Sequence, residues 1–175
     1  ISWKPGLCFC NFMNNKVTLQ IIVMTIVVMG IQMFIPAFNF YKLVIIPDVL
    51  IIFLTYIGFY YGRFYVIILG FLLGISQDFI TQVELMGAMA FTKSAIGFGL
   101  GTLALYRNVW SGNIRMFFIF LLYNLHFLIY YFIKFSGVPI SPSIYIQVAL
   151  IHSFVSFAIL FVIDKSFFNN EITLK

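Results

Sequence analysis

The sequence predicts an all-α membrane protein, a compact bundle of about six transmembrane helices, and three observations carry that prediction. The chain has 175 residues, of which 63% are hydrophobic and 9% charged, with a mean hydropathy of +1.08. A soluble domain is about 25% charged and about half apolar, and no soluble fold could cover this much apolar surface. The apolar residues fall into six runs, each near the roughly 20 residues needed to cross a hydrocarbon core. The segments between the runs are short and carry turn residues.

The runs cover residues 17–38, 44–61, 64–80, 86–106, 114–134 and 144–163, so that 1–175 reads as a single transmembrane domain with no room for a separate catalytic one. The first follows Lys16, is longer than a signal-peptide core and lacks a small-residue cleavage pattern, so it is expected to be a retained span. Pro47 and Asp48 stand at the start of the second helix. Turn chemistry separates the rest: residues 39–42, Gly62-Arg63, residues 81–84, residues 107–113 with Ser111-Gly112-Asn113, and residues 136–143 with Pro139 and Pro142.

The net charge of +5 comes from ten Lys and Arg scattered singly along the chain. That distribution fits membrane topology and leaves no basic patch for nucleic acid. With six spans, Lys4, Lys16, Arg63, Arg107, Arg115, Lys165 and Lys175 share one side, and Lys42 and Lys134 the other. Basic residues in short loops stay in the cytoplasm, so both termini are expected there, with Trp3 and Trp110 as interfacial anchors on that side.

An ionisable group in hydrocarbon is costly unless it is paired or reaches water. Three such groups stand out: Asp48 at the start of the second run, Asp78 near the outer end of the third, and Lys93 within the fourth. Counting from the turn near residue 83, Asp78 is about 8 Å deep and Lys93 about 15 Å. The lysine stem can bridge most of that difference, so Asp78 and Lys93 can pair across adjacent antiparallel helices. The alternative is that Lys93 snorkels alone while both carboxylates sit among headgroups.

Gly70 and Gly74 form a small-xxx-small pair on the third helix, and Gly97 and Gly101 another on the fourth. Such spacing lets helix backbones approach closely in a membrane. Four glycines exceed what one helix contact needs, so part of this surface is expected to face a partner. Gly97-Phe98-Gly99-Leu100-Gly101 has no preceding strand and is not read as a phosphate loop. His126 and His152 lie on different helices, and Asn124 does not share a face with His126. Interhelical hydrogen bonding is the expected role of both histidines, since no close carboxylate completes a metal site. Cys8 and Cys10 suit an N-terminal flank better than a disulfide, a metal site or a lipid anchor. No catalytic residue and no cofactor is expected.

A resemblance enters at the second to fourth runs. PDVLIIFLTY (47–56), GFLLGISQDF (70–79) and LMGAMAFTKSAIGFGLG (85–101) together resemble the bacterial rod shape-determining protein MreD family. The matching positions are Pro47, Asp48, Gly70, Gly74, Asp78, Gly87, Gly97 and Gly101. The family pattern is a Pro-Asp entering a helix, a glycine-rich helix ending in a buried Asp, a Leu-x-Gly turn, and a second glycine-rich helix. The resemblance implies a non-enzymatic scaffold of the cell-elongation complex in the bacterial cytoplasmic membrane. Its partner would be an MreC-like single-span protein, and it would link MreB filaments to the RodA and penicillin-binding protein 2 peptidoglycan synthase. It also implies a bundle similar to the substrate-binding subunits of energy-coupling-factor vitamin transporters.

Two other classes remain open. A vitamin-binding transporter subunit should carry an Ala-x-x-x-Ala docking surface on its first helix, which residues 17–38 lack. An intramembrane enzyme acting on lipid-linked substrates would need a convergent polar cluster, whereas Asp48, Asp78 and Lys93 are expected at different depths.

Overall fold

A computed structural model describes residues 15–36, 38–40, 43–81, 86–136, 141–166 and 172. Cys8, Cys10, Trp3, Lys42 and the turn around Glu84 lie outside the described residues. Among the described residues, six helices and one two-stranded hairpin follow in order: α1 (Asn15–Phe34), β1 (Phe38–Phe40), β2 (Leu43–Ile45), α2 (Val49–Tyr61), α3 (Arg63–Thr81), α4 (Ala88–Leu105), α5 (Gly112–Lys134) and α6 (Pro142–Ser166). Five of these helices, all but α2, are long and apolar enough to cross a membrane. The chain is therefore a multi-pass membrane protein.

Helix α1 forms a compact unit of its own. Its Val17–Phe34 stretch is long and apolar enough to cross a membrane, and Leu19, Ile26, Met33 and Phe34 are well exposed. The second unit begins at Pro36 and holds the hairpin and the other five helices.

The second apolar run departs from expectation. It is not a span over 44–61. Its first residues form β2, paired antiparallel with β1 in the register Phe38↔Ile45, Asn39↔Val44 and Phe40↔Leu43. Pro47 keeps the preceding residue extended, and Asp48 in a β conformation caps α2 by accepting the Leu50 N–H at 3.1 Å. The helix that follows has 13 residues, about 20 Å at 1.5 Å per residue. That is short of a hydrocarbon core of about 30 Å. Every residue of α2 in the stretch 50–58 is buried, as expected of a helix that is apolar all round and lies inside a bundle.

Gly62 alone joins α2 to α3. Its positive φ of 91° ends α2, with its N–H donating to the Gly58 carbonyl at 3.2 Å. The α2–α3 junction and the α4–α5 turn therefore lie at one end of the unit, called here the Gly62 end. The hairpin, the end of α3 with the start of α4, and the end of α5 with the start of α6 lie at the other, the hairpin end.

Helices α3 and α4 run antiparallel at very close range. A Cβ placed on Gly70 would come 2.8 Å from the Lys93 carbonyl oxygen, one on Gly97 would come 2.9 Å from that of Val66, and one on Gly101 would come 2.5 Å from Arg63 Cα. One on Gly74 would run into the backbone of Ala90. Contacts step up one helix as they step down the other, so both glycine pairs are spent on a single seam. The expectation that some of this surface faces a partner is corrected accordingly: two helices in backbone contact use all four positions.

Apolar packing fills the rest of the unit in two clusters. One, toward the Gly62 end, gathers Ile51, Ile52, Ile96, Leu100, Ile119 and Leu160 from α2, α4, α5 and α6. The other, toward the hairpin end, gathers Met89, Phe127, Tyr130, Tyr131, Val148 and Ala149. Between them lies a polar layer.

Candidate functional site

Four helices bring Asp48, Lys93, His126 and His152 to one height. Measured along each helix at about 1.5 Å per residue, all four lie roughly 18 to 21 Å from the Gly62 end. None is more than 6% exposed. An apolar cluster covers the layer on each side.

Asp48 is its centre. One oxygen, Oδ1, caps α2 through Leu50 N–H. The other, Oδ2, accepts from Lys93 Nζ in a buried ion pair and lies 3.7 Å from His126 Nε2. This corrects two expectations. Lys93 pairs with Asp48 instead of Asp78, and His126 does have a carboxylate nearby. Lys93 is fully buried, so it does not snorkel either.

Asp78 acts elsewhere. It sits at the end of α3, and its carboxylate accepts the N–H groups of Gly87 at 2.9 Å, Met89 at 3.1 Å and Ala90 at 3.3 Å. These are among the donors a helix start leaves without intrahelical partners. No Ser, Thr, Asp or Asn of the local chain caps α4. Gly87 holds the N-cap in a left-handed conformation, φ 102°, and Asp78 supplies the missing oxygens from the preceding helix. Its negative charge also meets the positive end of the α4 dipole.

His152 bears out the expected interhelical role. Its Nε2 lies 2.7 Å from the Ile46 carbonyl and its Nδ1 3.0 Å from Tyr131 Oη. A carbonyl only accepts, so Nε2 carries the proton and Nδ1 accepts from the tyrosine. The ring also stacks on Phe127 at 3.9 Å. The α6 side chain thereby ties down the segment leading into Asp48. Below it, Thr55 and Tyr123 join α2 to α5 through hydroxyls 2.7 Å apart, and Asn124 donates to Ser153 on α6 at 3.3 Å.

His126 is the exception. It is fully buried, meets Phe127 edge-on at 4.9 Å, and makes no hydrogen bond at either ring nitrogen among the described residues. Sequence reasoning set it apart from Asn124, expected an interhelical hydrogen bond of it, and missed Asp48. The available signal was the stripe Tyr123, His126, Phe127, Tyr130 and Tyr131, which is the buried face of α5 at helical spacing. A matching stripe on α6, Ala149, His152, Ser153, Ser156 and Leu160, faces inward as well.

Chemically, the layer presents one carboxylate, one ammonium and two imidazoles in a water-poor setting. Of the positions that suggested function in the sequence, Asp48 and Lys93 enter it; Gly70, Gly74, Gly97 and Gly101 line the α3–α4 seam beside it; Asp78 and Gly87 build the start of α4; and Pro47 directs the chain into Asp48. No protein-family model, curated protein or solved structure matches the chain.

Proposed function

We propose that the chain is a non-enzymatic membrane scaffold of the MreD type, binding an MreC-like single-span protein within the bacterial cell-elongation complex. The reading rests on the resemblance over residues 47–101. One observation supports it: the eight matching positions, scattered through the sequence, act together as one structural module. Pro47 and Asp48 start α2, the four glycines close α3 on α4, and Asp78 with Gly87 starts α4. A motif whose members cooperate in this way specifies a fold, so likeness in the motif argues for likeness in the bundle, including the six-helix plan of energy-coupling-factor substrate-binding subunits.

In this reading the Gly62 end faces the cytoplasm, because Arg63, Arg107, Arg115 and Lys165 lie there. MreB filaments would be reached from that side, and RodA with penicillin-binding protein 2 through the partner. The connections between α2 and α3 and between α4 and α5 are too short for a soluble interface, so partners meet helix faces within the lipid. A vitamin-binding subunit is the alternative. It is less well supported, because Asp48, Lys93 and His152 are engaged by one another, by Tyr131 or by the backbone.

The test is replacement and recovery. The chain, expressed in a rod-shaped bacterium depleted of its own MreD, should restore rod shape and co-purify with the MreC-like protein in mild detergent. Raising the salt should change recovery little, since apolar helix contacts are not screened. Spherical cells and a preparation lacking that partner, with the chain present in the membrane, would sink the proposal.

A further inference from the structure

We propose that the Gly62 end of the bundle carries a socket for a short chain segment, and that Ile172 of the chain itself occupies it as a releasable strap. This goes beyond the scaffold reading and does not depend on it.

Ile172 lies beyond the end of α6 at Ser166, yet it is packed into the apolar cluster of α2, α4, α5 and α6 and is only 1% exposed. Its N–H donates to Asp164 Oδ1 at 3.3 Å. The two residues are eight apart in sequence, and a continued helix would carry that N–H about 12 Å past Asp164. Ile172 has therefore come back toward α6, and it joins Tyr56, Leu103, Met116 and Leu160 in one cluster. The socket thus reads one aliphatic side chain and one backbone donor. A segment of another chain can offer the same two features.

Asp164 explains why the strap can leave. It stands in the last turn of α6, and Arg115 stands in the first turn of α5. Each is at the end of its helix where the dipole disfavours its charge. Both are buried, and they lie within electrostatic reach of each other. Tyr56 on α2 faces the same carboxylate. The buried acid is therefore answered by a cation whether or not Ile172 is in place. Releasing Ile172 gives up one neutral donor and the burial of one side chain, and it strands no charge. Opening the Asp48–Lys93 pair would strand two.

The strap is accordingly the part of this cluster that can open while the helices stay packed, as locally opening segments do. Because Ile172 is tethered to the bundle, its effective concentration at the socket is on the order of millimolar. A contact this small suffices within one chain. A partner's segment has to compete with it, so the strap keeps the socket closed until such a segment arrives.

The test uses the full chain in phospholipid nanodiscs and a synthetic peptide with the sequence of residues 166–175. In the wild-type chain, the Ile172 amide should exchange at least about tenfold more slowly than in the free peptide, and at least about tenfold faster than the Leu160 amide. Ile172→Asp puts a charge where the cluster is apolar and so vacates the socket. It should leave the Leu160 amide protected, and this variant should bind the peptide at least about tenfold more tightly than the wild-type chain does. The same peptide carrying Ile172→Asp should not bind. An Ile172 amide that exchanges together with Leu160 is a fixed part of the core and overturns the proposal, as does one that exchanges like the free peptide. Loss of Leu160 protection in Ile172→Asp overturns it as well. So does peptide binding that is equal for the two chains, or absent from the variant.

Discussion

The α3–α4 seam and the polar layer both fasten α4, the first by leaving side chains out and the second by concentrating them. Along the seam, Gly70, Gly74, Gly97 and Gly101 let two backbones touch, and the attraction is summed dispersion over a long contact. In the layer, single groups on α2, α4, α5 and α6 meet at a point, and the attraction is electrostatic in a medium that screens poorly. The seam tolerates no added atom. The layer tolerates no missing partner. Helix position is thus set twice on α4, by shape on the side facing α3 and by charge on the side facing α2 and α5.

Removing a partner should have the largest effect. Asp48→Asn leaves the Lys93 ammonium buried without a carboxylate and should cost about 3–5 kcal/mol, seen as loss of folded protein in the membrane. Asp48→Asn/Lys93→Met should recover part of that loss. Asp78→Asn combined with Lys93→Met should instead be additive, since Asp78 serves another helix. If the Asp78 pair is coupled and the Asp48 pair is not, the ion-pair assignment is wrong.

Adding an atom to the seam should come next. Gly74→Ala forces a methyl into the Ala90 backbone, and overpacking of this kind costs about 1–3 kcal/mol, measurable as a lower unfolding midpoint in detergent. Gly30→Ala on α1, where a Cβ meets nothing within 4 Å, should be neutral or stabilising by up to about 1 kcal/mol. Equal responses at the two sites would mean that helix propensity, and not close approach, explains the glycines.

The smallest of the three belongs to the cap that joins the two regions. Asp78→Ala frees the Gly87, Met89 and Ala90 donors and should cost about 0.5–2 kcal/mol. Amide exchange should accelerate in the first turn of α4 while the Asp48 layer stays protected. Uniform loss of protection through the bundle would show instead that Asp78 supports the layer directly.

The seam was legible in the sequence because spacing within one helix reports a shared face: Gly70 with Gly74 and Gly97 with Gly101 needed no knowledge of the fold beyond adjacency. The layer was not, because its ion pair spans 45 residues and its fourth group comes from the last helix. Proximity across the α3–α4 turn favoured Asp78 for Lys93. What argued against that pairing was also in the sequence: Met86, Gly87 and Ala88 offer no side-chain cap, so the start of α4 had to draw an acceptor from elsewhere. The same logic applies to α2. Pro47-Asp48 is a helix start, and giving it full weight ends the preceding segment at Ile46 instead of running one span from 44 to 61.

Helix α2 also fixes an order of events during synthesis. At about 20 Å it is too short to settle across a bilayer by itself, and it carries at its head a carboxylate whose counter-ion is made 45 residues later. While only α1, the hairpin and α2 have left the ribosome, Asp48 must stay within reach of water. The helix can sink to its final depth only when α4 arrives with Lys93, followed by α5 and α6 to enclose it. The middle of the bundle is thus early in translation and late in assembly.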